Sequence, residues 1–108
     1  MGSQIPKPAT TVLGDAATNA TATVFPSQPP GGQQIYVSLI VASYSDPTAS
    51  GVLSVTTNVG NISIALEGSV VLPFDPPFSP GVSNSMAVQL GAGGVGVEGR
   101  VSMAYYVL

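Results

Sequence analysis

The chain has 108 residues, enough for one hydrophobic core but not for two independent ones. Apolar residues make up 44% of it and charged residues only 6%, against roughly 25% charged in an average domain, so the composition is the reverse of a disordered chain's. The formal charge is -3 and the only basic residues are Lys7 and Arg100, which excludes a basic counterpart to a row of nucleic-acid phosphates or to an anionic membrane surface.

So little charge also removes the usual protection against association, which implies that partners cover much of the surface. Cysteine is absent, ruling out disulfides and thiolate metal ligands and suiting assembly in a reducing cytosol. The longest unbroken aliphatic run, Leu39 to Ala42, is far short of the roughly 20 residues that span a bilayer. Met1-Gly2-Ser3-Gln4-Ile5-Pro6 lacks a basic region followed by an apolar stretch, so the expectation is a protein used without export, or one whose leader has been removed.

Residues 1–18 mix Pro6, Pro8, Gly14 and Asp15 with Thr and Ala at no fixed period and are predicted to form an extended N-terminal arm, in which only Thr10 to Leu13 could pair. The β domain is predicted over 19–108. Ala20, Ala22 and Val24 alternate with Thr21 and Thr23, the period of a half-buried strand, until Pro26 and Pro29-Pro30-Gly31-Gly32 stop it. Residues 34–45 give the clearest strand, with Ile35, Val37, Leu39 and Val41 on one face and Tyr36, Ile40 and Tyr44 on the other. Strict alternation makes the first set the core stripe. The second set is also apolar, so it is expected to lie under a subunit or another partner.

Asp46-Pro47 begins a turn, and Val52 to Thr57 pairs with Ile62 to Leu66 as a hairpin around Asn58-Val59-Gly60-Asn61. A short strand, Ser69 to Leu72, leads into a loop over 73–81 whose four prolines are expected to prevent ladder pairing. Met86, Val88 and Leu90 alternate in the next strand. After a glycine-rich turn at 91–96, Val97, Val101, Met103, Tyr105 and Val107 share one face of the last strand, where Gly99 is expected to mark a bulge. Seven or eight short strands with no helical spacing predict an all-β chain, a two-layer sandwich of jelly-roll type, with a seven-stranded immunoglobulin-like sandwich as the alternative.

Several motifs have a chemical and a plain reading. Gly91-Ala92-Gly93-Gly94-Val95-Gly96 fits the dinucleotide fingerprint, but a strand follows where the fingerprint needs a helix, so it is read as a hairpin turn and no cofactor is expected. Gly81-Val82-Ser83-Asn84-Ser85 only half resembles a nucleophile elbow, and there is no His to act as base. Asp15, Asp46 and Asp75 lie in predicted loops or turns, where Asp caps backbone groups, and no calcium loop is present. Glu98 and Arg100 point to one face as a solvated pair; the sharper reading makes Arg100 an intersubunit contact. Asn19-Ala20-Thr21 and Asn61-Ile62-Ser63 match glycosylation sequons of a kind that arises by chance in Ser/Thr-rich chains. Phe74 and Phe78 are expected to plug an open end of the sandwich or to anchor a partner, and Tyr105-Tyr106 to place one ring on each face.

Over Ala20 to Leu108 the chain resembles the small capsid decoration (cement) proteins of tailed phages and related β-sandwich head proteins. The residues that carry the resemblance are a Thr/Ala strand, the turn into Gln34-Ile35-Tyr36-Val37, the middle hairpin, Leu72-Pro73-Phe74, Ala87-Val88-Gln89-Leu90 and a terminal strand ending in Tyr106-Val107. The resemblance implies a non-enzymatic homotrimer that binds the major capsid protein and stiffens the shell. It would be made in the host cytoplasm and would sit on the outer capsid surface, with neither nucleic acid nor membrane as a partner. The alternative is a carbohydrate- or receptor-binding β-sandwich of a phage tail or fibre, which the absence of Trp disfavours. The residues expected at the interface are Tyr36, Ile40, Tyr44, Phe74, Phe78 and Arg100.

Overall fold

Alternating apolar and hydroxyl residues, punctuated by Gly, Pro and Asp turns, give strands throughout the protein, and among the described residues there is no helix. The structure, a computed structural model, describes residues 10–26, 28, 29, 31–58 and 60–108. Its strands are β1 (Thr11–Thr18), β2 (Ala22–Val24), β3 (Ile35–Tyr44), β4 (Ser50–Thr57), β5 (Gly60–Glu67), β6 (Ser69–Phe78), β7 (Met86–Leu90) and β8 (Glu98–Val107). They form two antiparallel four-stranded sheets, the first in the order β1-β8-β3-β6 and the second in the order β2-β7-β4-β5.

The topology follows from one rule. β1 pairs with β8, β2 with β7, β3 with β6 and β4 with β5, so the chain is a single long hairpin ribbon whose tip is the β4–β5 turn. Successive pairs go alternately to the two sheets, and the β3–β8 and β4–β7 pairings complete each sheet. This is the jelly roll. An immunoglobulin-like sandwich would group its strands differently, so that alternative falls. The core between the sheets is built from Ile35, Val37, Ile40, Leu53, Val88, Leu90, Val101 and Met103, all essentially free of solvent.

β3 departs from strict alternation. Its register with both β6 and β8 slips between Val37 and Leu39, leaving Ser38 as a bulged residue whose hydroxyl donates to the Ala104 carbonyl at 3.2 Å. One extra residue turns every later side chain to the opposite face. Ile35 and Val37 point into the core, and beyond the bulge so do Ile40, Ala42 and Tyr44, while Leu39, Val41 and Ser43 turn outward. The expected facing of Ile40 and Tyr44 as interface residues, and of Leu39 and Val41 as core, is therefore inverted. Gly99, the expected bulge, instead keeps an unbroken register with Ala17 and Tyr44. A side chain there would press on Leu90 and on the Tyr44 ring.

The two edges of the first sheet also differ from expectation. Residues 1–9 of the predicted arm lie outside the described residues, but Thr11–Thr18 forms a strand paired with β8 along its whole length. Asp15, on the inward side of this edge strand, accepts a hydrogen bond from the Thr23 N–H at 2.9 Å and so ties β1 to β2 across the two sheets. At the other edge β6 runs on to Phe78 despite Pro73, Pro76 and Pro77, because an edge strand has a side that needs no N–H donors. Leu39 faces Pro73 and Val37 faces Phe78, so the residues between Pro73 and Phe78 bulge from the ladder, with a cis peptide bond joining Asp75 and Pro76.

Candidate functional site

The motifs that could have signalled chemistry are occupied in holding the fold. The glycine-rich turn leads into β8, and Tyr44 reaches beneath it, its hydroxyl donating to the Gly91 carbonyl at 2.7 Å. A side chain at Gly51 or Gly93 would collide with the Tyr44 phenol, so these glycines make room for the ring. Burial pushes the Tyr44 phenol above its ordinary value. Ser83 has a φ of 57°, its hydroxyl accepts from the Gly32 N–H at 3.1 Å and its carbonyl accepts from Gln28 Nε2 at 2.8 Å, tying two loops together. Asn19 similarly accepts from the Gly96 N–H at 2.6 Å. Among the described residues no three His, Cys, Asp or Glu side chains converge into a metal-binding group.

What remains are two apolar surfaces. The first is the outer face of the first sheet. Val12, Ala104, Leu39 and Pro73 lie in register across its four strands, and Ser102, Val41 and Val71 form the next row. Val12 and Val71 are largely exposed, at 68% and 60%. Tyr36 stacks on Tyr106 beside them, ring centroids 5.3 Å apart at 18°. The charged pair sits at the far end of this face, Arg100 Nε donating to Glu98 Oε1 at 2.6 Å in an exposed contact. The outer face of the second sheet is more polar: Thr23, Gln89, Ser54 and Ser63 run in register across it, with Val52 as its exposed large apolar side chain among the described residues.

The second surface is a cleft of ≈ 170 Å³ along the β5–β6 margin, lined by Val55, Ile62, Ile64, Leu72, Pro73, Phe74 and Phe78. On the opposite margin Asp15 latches the sheets together; here the sheets are joined at the Gly68 end, where Gly68 accepts from the Tyr44 N–H at 2.7 Å and donates to the Ala49 carbonyl at 2.9 Å, and the cleft opens beyond it. Ile62 faces inward yet is 57% exposed, because the bulged end of β6 leaves it without a facing strand. Phe74 and Phe78 meet over the cleft, centroids 5.9 Å apart and rings tilted by 36°, and pack against the margin of the core.

Of the six residues expected at an interface, Tyr36 faces outward on the apolar sheet, Phe74 and Phe78 come together at the cleft, and Arg100 stands at the charged end of the outer face. Ile40 and Tyr44 belong to the core. Tyr105 is buried and Tyr106 faces out, as the adjacent pair implied. Leu39, Val41, Val71 and Ile62 are the surface residues that alternation alone missed or misplaced. No protein-family model matches the chain, and no curated protein matches it.

Proposed function

We propose that the protein is a virion structural protein, a capsid decoration protein that binds the shell of major capsid subunits from outside and works as a homo-oligomer, expected to be a trimer, rather than as an enzyme. The observation that carries this reading is the outer face of the first sheet: Val12, Tyr36, Leu39, Val41 and Val71 form an uncharged apolar surface on the jelly roll, while a row of polar side chains crosses the opposite sheet. Monomers rarely leave such a face to water, and apolar patches of this kind mark contact sites. The resemblance to phage decoration proteins supplies the shell as the partner. A sugar-binding role gains no support from the cleft, whose lining has no polar side chain to fix hydroxyl groups.

The test combines sedimentation with substitution. Particles from cells producing the protein are banded on a gradient and labelled with gold-conjugated antibody, for the wild type and for Val41→Asp with Val71→Asp. The wild type should band with shells and label their outer surface. The double variant should fold, since both side chains face outward, but remain at the top of the gradient. Wild-type protein found only at the top, or only on tails, would overturn the proposal.

A further inference from the structure

The four sheet edges are not treated alike. Proteins blunt exposed edges with short strands, prolines, bulges or inward-pointing charges, because an open row of backbone N–H and C=O groups recruits another strand. β2 has three residues, β1 carries the inward Asp15, and β6 carries Pro73, Pro76, Pro77 and a bulge. β5 has none of these devices. Its eight residues run in unbroken register with β4, without proline, and its only charge is Glu67 at the end. Directly inside this unprotected edge lies the apolar cleft.

We infer that β5 is a pairing edge and that its occupant is β5 of a second copy, antiparallel across a two-fold axis, so that the second sheets of two molecules become one. Facing restricts the register, because opposed residues must point to the same side. With Ser63 opposite its own copy, Ile62 stands opposite Ile64 of the second copy on the inward side, twice by symmetry, so the exposed Ile62 of each copy is covered by the half-buried Ile64 of the other. A register centred on Ile64 would spend Ile62 on Leu66, which is already buried. In the Ser63 register the two Glu67 carboxylates lie at opposite ends of the seam, and no charge enters it.

The contact is large enough. Seven paired residues at about 3.4 Å give a seam about 24 Å long. Two sheets about 10 Å apart, with their side chains, give a margin about 20 Å deep. The product is about 500 Å² per copy, or about 1,000 Å² in all, at the lower limit of a specific interface. A dissociation constant in the micromolar range fits that size. The seam is separate from the outer face of the first sheet, so it doubles whatever unit that face builds.

Sedimentation equilibrium of the wild type and of Ile62→Lys gives the test. Ile62 is more than half exposed, so the lysine should leave the fold intact, but it places an ammonium opposite an apolar side chain in the seam. At about 50 micromolar, above the expected constant, the wild type should have twice the mass of the variant; equal masses overturn the pairing. Because the chain has no cysteine, Ser63→Cys adds a single thiol that should meet its own copy within disulfide reach and give a covalent dimer on oxidation. Ser54→Cys, on the neighbouring strand, would lie about 14 Å from its copy and should give none. This second measurement stands even if circular dichroism shows Ile62→Lys unfolded, and failure of Ser63→Cys to cross-link overturns the register.

Discussion

Replacing Ile40 and Val41 in turn by alanine tests the bulge at Ser38 with two adjacent residues of similar chemistry. Ile40 has no exposed surface and faces Met103 across the ladder, so Ile40→Ala empties a cavity in the centre of the core. Such truncations cost about 2–5 kcal/mol, and full burial puts this one at about 3 kcal/mol or more. Val41 lies on the outer face, partly exposed, and Val41→Ala should cost under about 1 kcal/mol. In urea, with a slope of about 1.5 kcal/mol per molar, the first variant should lose about 2 M in midpoint and the second under about 0.7 M. Far-UV circular dichroism at matched protein concentration gives both values, and a concentration below the association range keeps oligomer formation out of them. A larger loss for Val41 than for Ile40 would refute the bulge and restore strict alternation.

Tyr44→Phe should cost about 1 kcal/mol, since it leaves the Gly91 carbonyl without its donor, whereas Gly51→Ala or Gly93→Ala should cost about 1–3 kcal/mol by forcing the ring to move. Burial raises the Tyr44 value, so the native state holds this proton more tightly than the unfolded chain. Its contribution is intact below about pH 10, the ordinary tyrosine value, and is lost as pH climbs through the raised folded value. Urea titrations at alkaline pH should show a smaller decline for Tyr44→Phe. Asp15→Ala should unlatch the β1–β2 margin, read as faster hydrogen exchange at the Thr23 amide with a stability loss of about 1 kcal/mol. Removing residues 1–18 should unfold the domain or lower its melting temperature sharply, because β1 goes with them and the edge of β8 is laid bare.

The two-layer architecture was legible because turn residues and alternation are local properties. Gly68, Asp46-Pro47 and the 91–96 turn each fall between strands, and Val52 to Thr57 does pair with Ile62 to Leu66. The facing of half of β3 was not legible. Ser38 carries no mark of a bulge, and the register slip is imposed by β6 and β8, whose residues lie more than 30 positions further along the chain. The strand character of Thr11–Thr18 was hidden for a similar reason: with Gly14, Asp15 and Ala16 it has poor strand propensity and is held by pairing to β8. The apolar outer face was half legible. An apolar stripe on both sides of β3 was plain in the sequence, and an outward apolar stripe is present, but it is made by Leu39 and Val41 rather than by Ile40 and Tyr44. The cleft was not legible, since it depends on a facing strand that is missing.

The rule that pairs first strand with last sets a timetable for synthesis. Only the β4–β5 hairpin joins neighbours in the chain; every other pairing must wait for a strand further on, and the wait lengthens outward from the hairpin. β1 is complete at Thr18 but its partner begins only at Glu98. At about 5–20 residues per second, a nascent β1 therefore emerges about 4–16 s before the strand that will receive it. During that interval a strand with few large apolar side chains is a safer thing to leave unpaired than one like β3, and the weak, Gly-, Ala- and Thr-rich sequence of β1 has this character.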